Sequence, residues 1–367
     1  MDTPSKNKLR ILAIHSIQGT DYTRHSAIDM WRVFWPLEEL KKHVDWIIDY
    51  QTSFIPNGDT YTSVEQFDEA ELEKVAKHLG SYDIIFSSYQ PSPFVFSLLK
   101  MIEKRYGTKY VLDDDDDVYN IEPDNPFWLK SKPEDVYYMQ RMIELSSHIT
   151  TTTPTLQRRY QQETAAKVHL APNFISNAYK NDVVKDPERL TIGYFGGAGH
   201  YHDLHETGAI QAIEKIMHEF KHVHFMTIGV PIDHSLPSKR KHEHNATNVH
   251  DWVYKVFPRL NIDISIAPLR LTEFSKSKSN IKWQEATRLY SAFLSSNIGP
   301  YSELPPHVLT RVDNTPQAWY EALKTLITDT EKRHEQIKNA KKELADNWTL
   351  EKNWTVYKEL FERVKAS

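Results

Sequence analysis

The chain has 367 residues, 40% hydrophobic and 26% charged, with 45 Lys and Arg against 50 Asp and Glu and a formal net charge of -5. That length predicts two domains of ordinary size, and the acidic balance argues against a protein that wraps nucleic acid by neutralising phosphates. There is no cysteine, which excludes disulfides, thiolate metal sites and cysteine nucleophiles.

Short apolar runs alternate with amphipathic stretches through the first half. Strands are predicted at 9–15, 46–50, 82–88, 109–112, 148–152 and 168–171. Helices are predicted at 27–42, 65–79, 94–106, 134–146 and 154–162, the last beginning with a proline suited to a first helical turn. In the first helix Trp31, Phe34, Trp35 and Leu40 share a face, and Pro36 is expected to kink or divide it. This rhythm implies a parallel sheet covered on both faces.

A polar segment, 172–187, reads as a linker, after which the rhythm resumes. Strands are expected at 190–195, 222–228 and 263–267, with a polar loop at 231–249. Helices are expected at 206–220, 280–291, 319–328, 331–345 and 349–364. The fold class is therefore α/β, two doubly wound Rossmann-like domains facing across a cleft, where open parallel sheets bind their ligands. The expected division is 1–175, 176–345, and a closing helix within 346–367 that returns to the first domain. No run approaches the length of a membrane span and the first residues carry no signal-peptide pattern, so a cytoplasmic protein without integral membrane contact is expected.

Three constellations can carry chemistry. The turn IGYFGGAGHYHD (192–203) follows a strand and precedes a helix. Its backbone N–H groups at Gly196, Gly197 and Gly199 could cradle a diphosphate, with His200 as a hydrogen-bonding partner. It lacks the dinucleotide spacing and a P-loop lysine, and a structural tight turn would also account for it. The second is DISIAPL (263–269) followed by Lys276, Lys278, Lys282 and Glu285. Cations near a helix start suit a phosphate and a carboxylate suits a ribose diol, although clustered lysines are common on solvated loops. The third is Asp113 to Asp117 at a strand end. Strand alternation would orient Asp113, Asp115 and Asp117 together. Histidines at 200, 202, 205, 242, 244 and 250 show no established zinc spacing, so no metal is assigned. Any nucleic-acid face would have to be local, for example around Lys239, Arg240 and Lys241.

The second-half motifs, together with Asp113 to Asp117, Asn125, Pro126, the threonines at 150–153 and Ala171, Pro172 and Asn173, resemble the glycogen-synthase-like retaining glycosyltransferases of the GT-B fold. The resemblance implies transfer of a hexosyl or pentosyl group from a UDP- or GDP-linked sugar to an acceptor hydroxyl with retention of configuration. It places Gly196, Gly197, Gly199, His200, Asp203, Lys278, Lys282 and Glu285 at the donor. Glu285 matches the second glutamate of the family's E-x7-E element, while Ser277 stands at the first. Lys282, Lys278 and Asp115 are the expected catalytic residues. Arg24, Asp113, Asp115 and Asp117 are the expected acceptor contacts. No cofactor and no essential metal is implied. The acceptor classes left open are an envelope glycan, a small molecule, a protein or a hydroxymethylated viral DNA base. The competing readings are a nucleotide-sugar epimerase or a phosphorylase on the same fold, or a glycan- or nucleotide-binding module that has lost catalysis.

Overall fold

A computed structural model describes residues 8–15, 26–52, 54, 69–88, 93–125 and 133–367. The chain divides into two compact units. One comprises residues 1–119, 132–173 and 350–367, the other residues 120–131 and 174–349. Arg24 and its loop lie outside the described residues.

The first unit is built on a six-stranded parallel sheet. Its strands are β1 (Arg10–Ile14), β2 (Ile47–Gln51), β3 (Ile84–Ser88), β4 (Lys109–Asp113), β5 (His148–Thr151) and β6 (Lys167–Leu170), in the order β2-β1-β3-β4-β5-β6. The central strands are apolar and buried along nearly their whole length, as sheets covered on both faces require. Pro36 does not divide the first helix. A π-turn at Met30–Phe34 joins Ala27–Asp29 to Trp35–Lys41. The proline removes a backbone donor, and the widened turn accommodates that loss without ending the helix. Helix Leu350–Lys365 belongs to this unit and packs on Trp35–Lys41, with Trp354 stacked on His43 at 4.3 Å.

The second unit holds another six-stranded parallel sheet. Its strands are β7 (Leu190–Phe195), β8 (Val223–Ile228), β9 (Lys241–His244), β10 (Ile264–Ala267), β11 (Ala292–Ser296) and β12 (Thr310–Val312), in the order β12-β11-β10-β7-β8-β9. Its core joins Ile210, Ile213 and Met217 of helix Ala209–Glu219 to Trp319, Leu323 and Leu326 of helix Pro316–Thr328 and to Ile192, Phe225, Ile264 and Leu294 of the sheet. The helix expected at 206–220 runs from Ala209 to Glu219, and a separate helix, Tyr201–Glu206, precedes it within and just after the expected turn. Gly208 separates them at φ +86°, and a Cβ there would stand 2.5 Å from the Pro316 nitrogen, so only glycine fits. Strand order reverses between β1 and β3 in one sheet and between β7 and β10 in the other. The carboxyl ends of those strands are where such sheets bind ligands. No helix among the described residues is long and apolar enough to cross a membrane.

Candidate nucleotide-sugar site

In the second unit the expected donor residues converge at the β7/β10 reversal. β7 is buried through Phe195 and the chain then turns at Gly196, whose N–H donates to Ile228 O at 3.0 Å. A Cβ on Gly196 would meet His200 Cδ2 at 2.9 Å and the Lys282 ammonium at 3.1 Å. The glycine thus leaves room for both groups at one point. Gly229, at the end of β8, supports the turn from behind. Its φ is +79°, and a Cβ there would lie 2.2 Å from Gly196 O. Gly197 has nothing near its open side, and Gly199 lies in a 3-10 turn, Ala198–His200.

Helix Ile281–Arg288 presents Lys282 and Glu285 three residues apart, hence on one face. Lys282 Nζ donates to Phe195 O at 2.9 Å. Among the described residues no carboxylate comes within 4.0 Å of it. Burial pulls its ammonium down to about 8, against the attraction of Glu285 and Asp203 and with Lys278 adding to the fall. Glu285 is buried and accepts from Trp252 Nε1 at 2.9 Å and from the Tyr179 hydroxyl. Burial raises its carboxyl above the ordinary range despite these bonds and the nearby Lys282.

His200 Nδ1 lies 2.8 Å from Asp203 Oδ2, and the other Asp203 oxygen accepts the Arg270 N–H at 2.8 Å. Burial opposes charge on Asp203, but the His200 bond, its partial charge and the Arg270 N–H together hold the carboxyl low. Burial, then Lys282, lowers the imidazole, with Asp203 pulling the other way. At neutral pH the ring is accordingly neutral, with Nδ1–H donating to Asp203.

Lys278 caps helix Glu273–Ser277, with its ammonium 4.1 Å from the centre of the Phe274 ring. Ser277 is buried, its hydroxyl 3.4 Å from Glu273 O. Lys276 is exposed and pairs with Glu273. Sequence reasoning missed Arg270. Its guanidinium binds both Asp124 oxygens, at 2.7 and 3.0 Å, and comes within 3.5 Å of Glu206, while Thr272 donates to Glu122 at 2.6 Å. It also missed Trp252, on a π-turn at 252–256 within a stretch where no helix was expected.

The aspartate run of the first unit is largely structural in its contacts. β4 ends at Asp113, so the alternation expected for Asp113, Asp115 and Asp117 stops at its first member. Asp113 is buried and receives Arg32 Nε at 3.0 Å, Arg32 Nη2 at 2.7 Å and the Thr150 hydroxyl. Arg32 Nη1 donates to Ala171 O and Asn173 Oδ1. Asp114 accepts from the Tyr160 hydroxyl at 2.9 Å, and burial raises its carboxyl well above the ordinary range. Asp117 is buried and accepts the Tyr119 N–H at 3.1 Å. Asp115 and Asp116 are half-buried. Asp29, absent from the sequence reading, is buried between the hydroxyls of Ser26 and Ser88, and His15 nearby is lowered by burial and raised by Asp29. Around 239–241, Arg240 donates to the carbonyls of Met217, Phe220 and Val223, and Lys241 pairs with Glu243.

No protein-family model matches the sequence, and no curated protein matches it at a significant level. Its fold is found among solved structures: the two parallel sheets match the two Rossmann-like units of proteins with the GT-B fold. Similar structures include sucrose-phosphate synthase from Thermosynechococcus elongatus, at 11% identity over 98% of this chain and 100% of that one with a TM-score of 0.64. Anabaena HepE in complex with UDP and glucose is 13% identical over 98% of this chain and 100% of that one, with a TM-score of 0.63. TarM is 11% identical over 81% of this chain with a TM-score of 0.57, and the match spans 57% of TarM's own length.

Proposed function

We propose that the protein transfers a sugar from a nucleoside diphosphate donor to an acceptor hydroxyl with retention of anomeric configuration. The observation that carries this reading is Lys282, a mostly buried cation without a carboxylate partner among the described residues, set beside the Gly196 turn at a strand-order reversal. Such a group binds an anion better than water does. Glu285, three residues on, takes the ribose hydroxyls, and Lys278 and His200 complete the diphosphate contacts. HepE has been solved with UDP and with UDP-glucose, which favours a uridine donor; a GDP-linked sugar is the alternative.

In the reaction the bond from the sugar C1 to the β-phosphate oxygen breaks and a bond from C1 to the acceptor oxygen forms on the same face. The acceptor proton passes to the departing phosphate. Lys282 and Lys278 stabilise the charge that develops there, so the chain contributes positioning and electrostatics. No metal is required in this proposal, so turnover is expected to persist in EDTA. The acceptor contacts assigned to Arg24, Asp113, Asp115 and Asp117 belong to the same proposal, with Asp115 the member that orients the acceptor, because Asp113 and Asp117 are buried on protein partners. The carbonyl bonds of Arg240 and the Lys241–Glu243 pair weigh against a DNA acceptor and for a glycan or small molecule. A cytoplasmic location is part of the reading.

The test is thermal denaturation with UDP and GDP, where ligand at 100 times its Kd stabilises by about 2.7 kcal/mol. An acceptor screen follows, with the proton coupling constant of the product's anomeric hydrogen compared with the donor's. No stabilisation by either nucleotide refutes the donor assignment, and an inverted product refutes retention.

A further inference from the structure

The donor reading leaves the protonation of one of its groups unexplained. His200 is held at both ends of its local structure: its N–H donates to Gly197 O at 3.0 Å, and its carbonyl lies 3.4 Å from the Tyr194 hydroxyl. Asp203 fixes the ring by accepting from Nδ1, and Asp203 is itself fixed by the Arg270 N–H. In the neutral ring this defines the tautomer, leaving Nε2 with a lone pair and no proton. No partner for Nε2 occurs among the described residues. The Cδ2 atom that adjoins Nε2 lies against Gly196, at the same point that Lys282 Nζ approaches. An acceptor nitrogen therefore faces the place assigned to an anion, where a donor is needed.

We infer that His200, oriented by Asp203, takes up a proton at Nε2 when a nucleoside diphosphate binds, so that the site completes its positive charge only with the ligand in place. The inference rests on the donor reading and deepens it. Every group that sets the balance is known. Lys282 on helix Ile281–Arg288 and Lys278 after helix Glu273–Ser277 disfavour the imidazolium, and Asp203 on helix Tyr201–Glu206, which follows the histidine, favours it. From β7 comes the neutral Tyr194 hydroxyl, and from the segment after β10 a backbone N–H aimed at Asp203. In the free protein the two lysines and burial win. An arriving diphosphate neutralises the lysines and adds its own attraction, and the balance reverses.

The proton comes from solvent when the donor binds, and Nε2–H then donates to the diphosphate, while the acceptor proton stays on the departing phosphate. His200 returns its proton to solvent when the nucleoside diphosphate leaves, with no further reactant required.

The experiment is calorimetry of UDP binding at pH 7 in buffers of different ionisation enthalpy, which counts protons. Wild-type protein takes up more than about half a proton. Lys282, at about 8 in the free protein, adds only about a tenth of a proton at that pH. The terminal phosphate, with a pKa near 6, releases a similar fraction in the opposite sense. His200→Asn and His200→Gln keep hydrogen-bonding capacity without titrating, and both should bind UDP with uptake near zero. In the free wild-type protein, long-range proton–nitrogen NMR should show His200 as the Nδ1–H tautomer. Equal uptake by wild type and both variants overturns the inference, as does an Nε2–H tautomer in the free state. Failure of the wild type to bind UDP or GDP overturns the donor reading itself, and the two failures are thereby separate.

Discussion

Replacing Asp113 by alanine should damage the fold before it damages any chemistry. The Arg32 guanidinium is fully buried and commits Nε and Nη2 to Asp113 and Nη1 to Ala171 O and Asn173 Oδ1. Removing the carboxylate strands a buried cation, a loss of about 3–5 kcal/mol. In a domain of this size each kcal/mol moves the melting temperature by about 2–4 °C, so a fall of roughly 6–20 °C is expected. The double variant Arg32→Met, Asp113→Leu removes both charges and should recover most of that fall, because an apolar pair of similar volume avoids the desolvation cost. Asp115→Asn, at a half-buried position, should leave the melting temperature within about 2 °C of wild type while lowering transfer rate. Thermal denaturation followed by far-ultraviolet circular dichroism reads all three. If Asp113→Ala melts within about 2 °C of wild type, the account of Asp113 as a buried structural partner is wrong and an acceptor role regains its place.

Further outcomes concern the second unit. Lys282 titrates near 8 in the free protein, below an ordinary lysine, so UDP affinity in His200→Asn should hold below pH 8 and weaken above it, by up to about tenfold per unit. A flat profile to pH 9.5 would exclude Lys282 from the diphosphate. Because its ammonium is depressed from 10.5 to about 8, it costs the fold about 3 kcal/mol at pH 7. Lys282→Met should therefore raise the melting temperature of the free protein while abolishing stabilisation by UDP; a lowered melting temperature refutes the reasoning. Glu285→Gln should weaken UDP binding by about 1.5–3 kcal/mol, and Trp252→Phe, which removes one donor to Glu285, by less. Equal loss in the two would place the effect on the indole. Gly229→Ala should be more destabilising than Gly196→Ala, since the first drives a Cβ into a carbonyl at positive φ and the second into movable side-chain ends; the reverse order of melting temperatures would count against the supporting role of Gly229.

The fold was largely legible because buried parallel strands leave short, mainly apolar runs, as in β1, β3 and β7. The strands that escaped are of two kinds. β9 reads Lys-His-Glu-His and lies at a sheet edge, where one side needs no apolar residues. β11 is wholly buried, but it follows a helix after three residues, and its run of Ala292 to Ser296 is too short to separate from the helix end. The site was legible where it is local. Gly196, His200 and Asp203 lie in one turn, and Lys282 and Glu285 on one helix face. Arg270 and Trp252 were not, since their partners Asp124 and Glu285 stand 146 and 33 positions away. The aspartate run misled for a related reason. Its repulsion is relieved by Arg32 and Tyr160, 81 and 46 residues distant from the carboxylates they bind.

Both sheets bring charged groups to the carboxyl ends of their strands, yet they treat those charges differently. At the end of β4 the carboxylate of Asp113 meets a fully engaged arginine, and the pair is closed to any ligand. At the end of β7 the carboxylates that could close Lys282 are engaged elsewhere. Asp203 is taken by His200 and the Arg270 N–H, and Glu285 by Trp252 and Tyr179. Each of these bonds keeps a negative group out of the lysine's reach. A protein optimised for stability alone would pair that ammonium or replace it. Its isolation beside a glycine turn is accordingly the feature that the proposed nucleoside diphosphate donor is asked to explain.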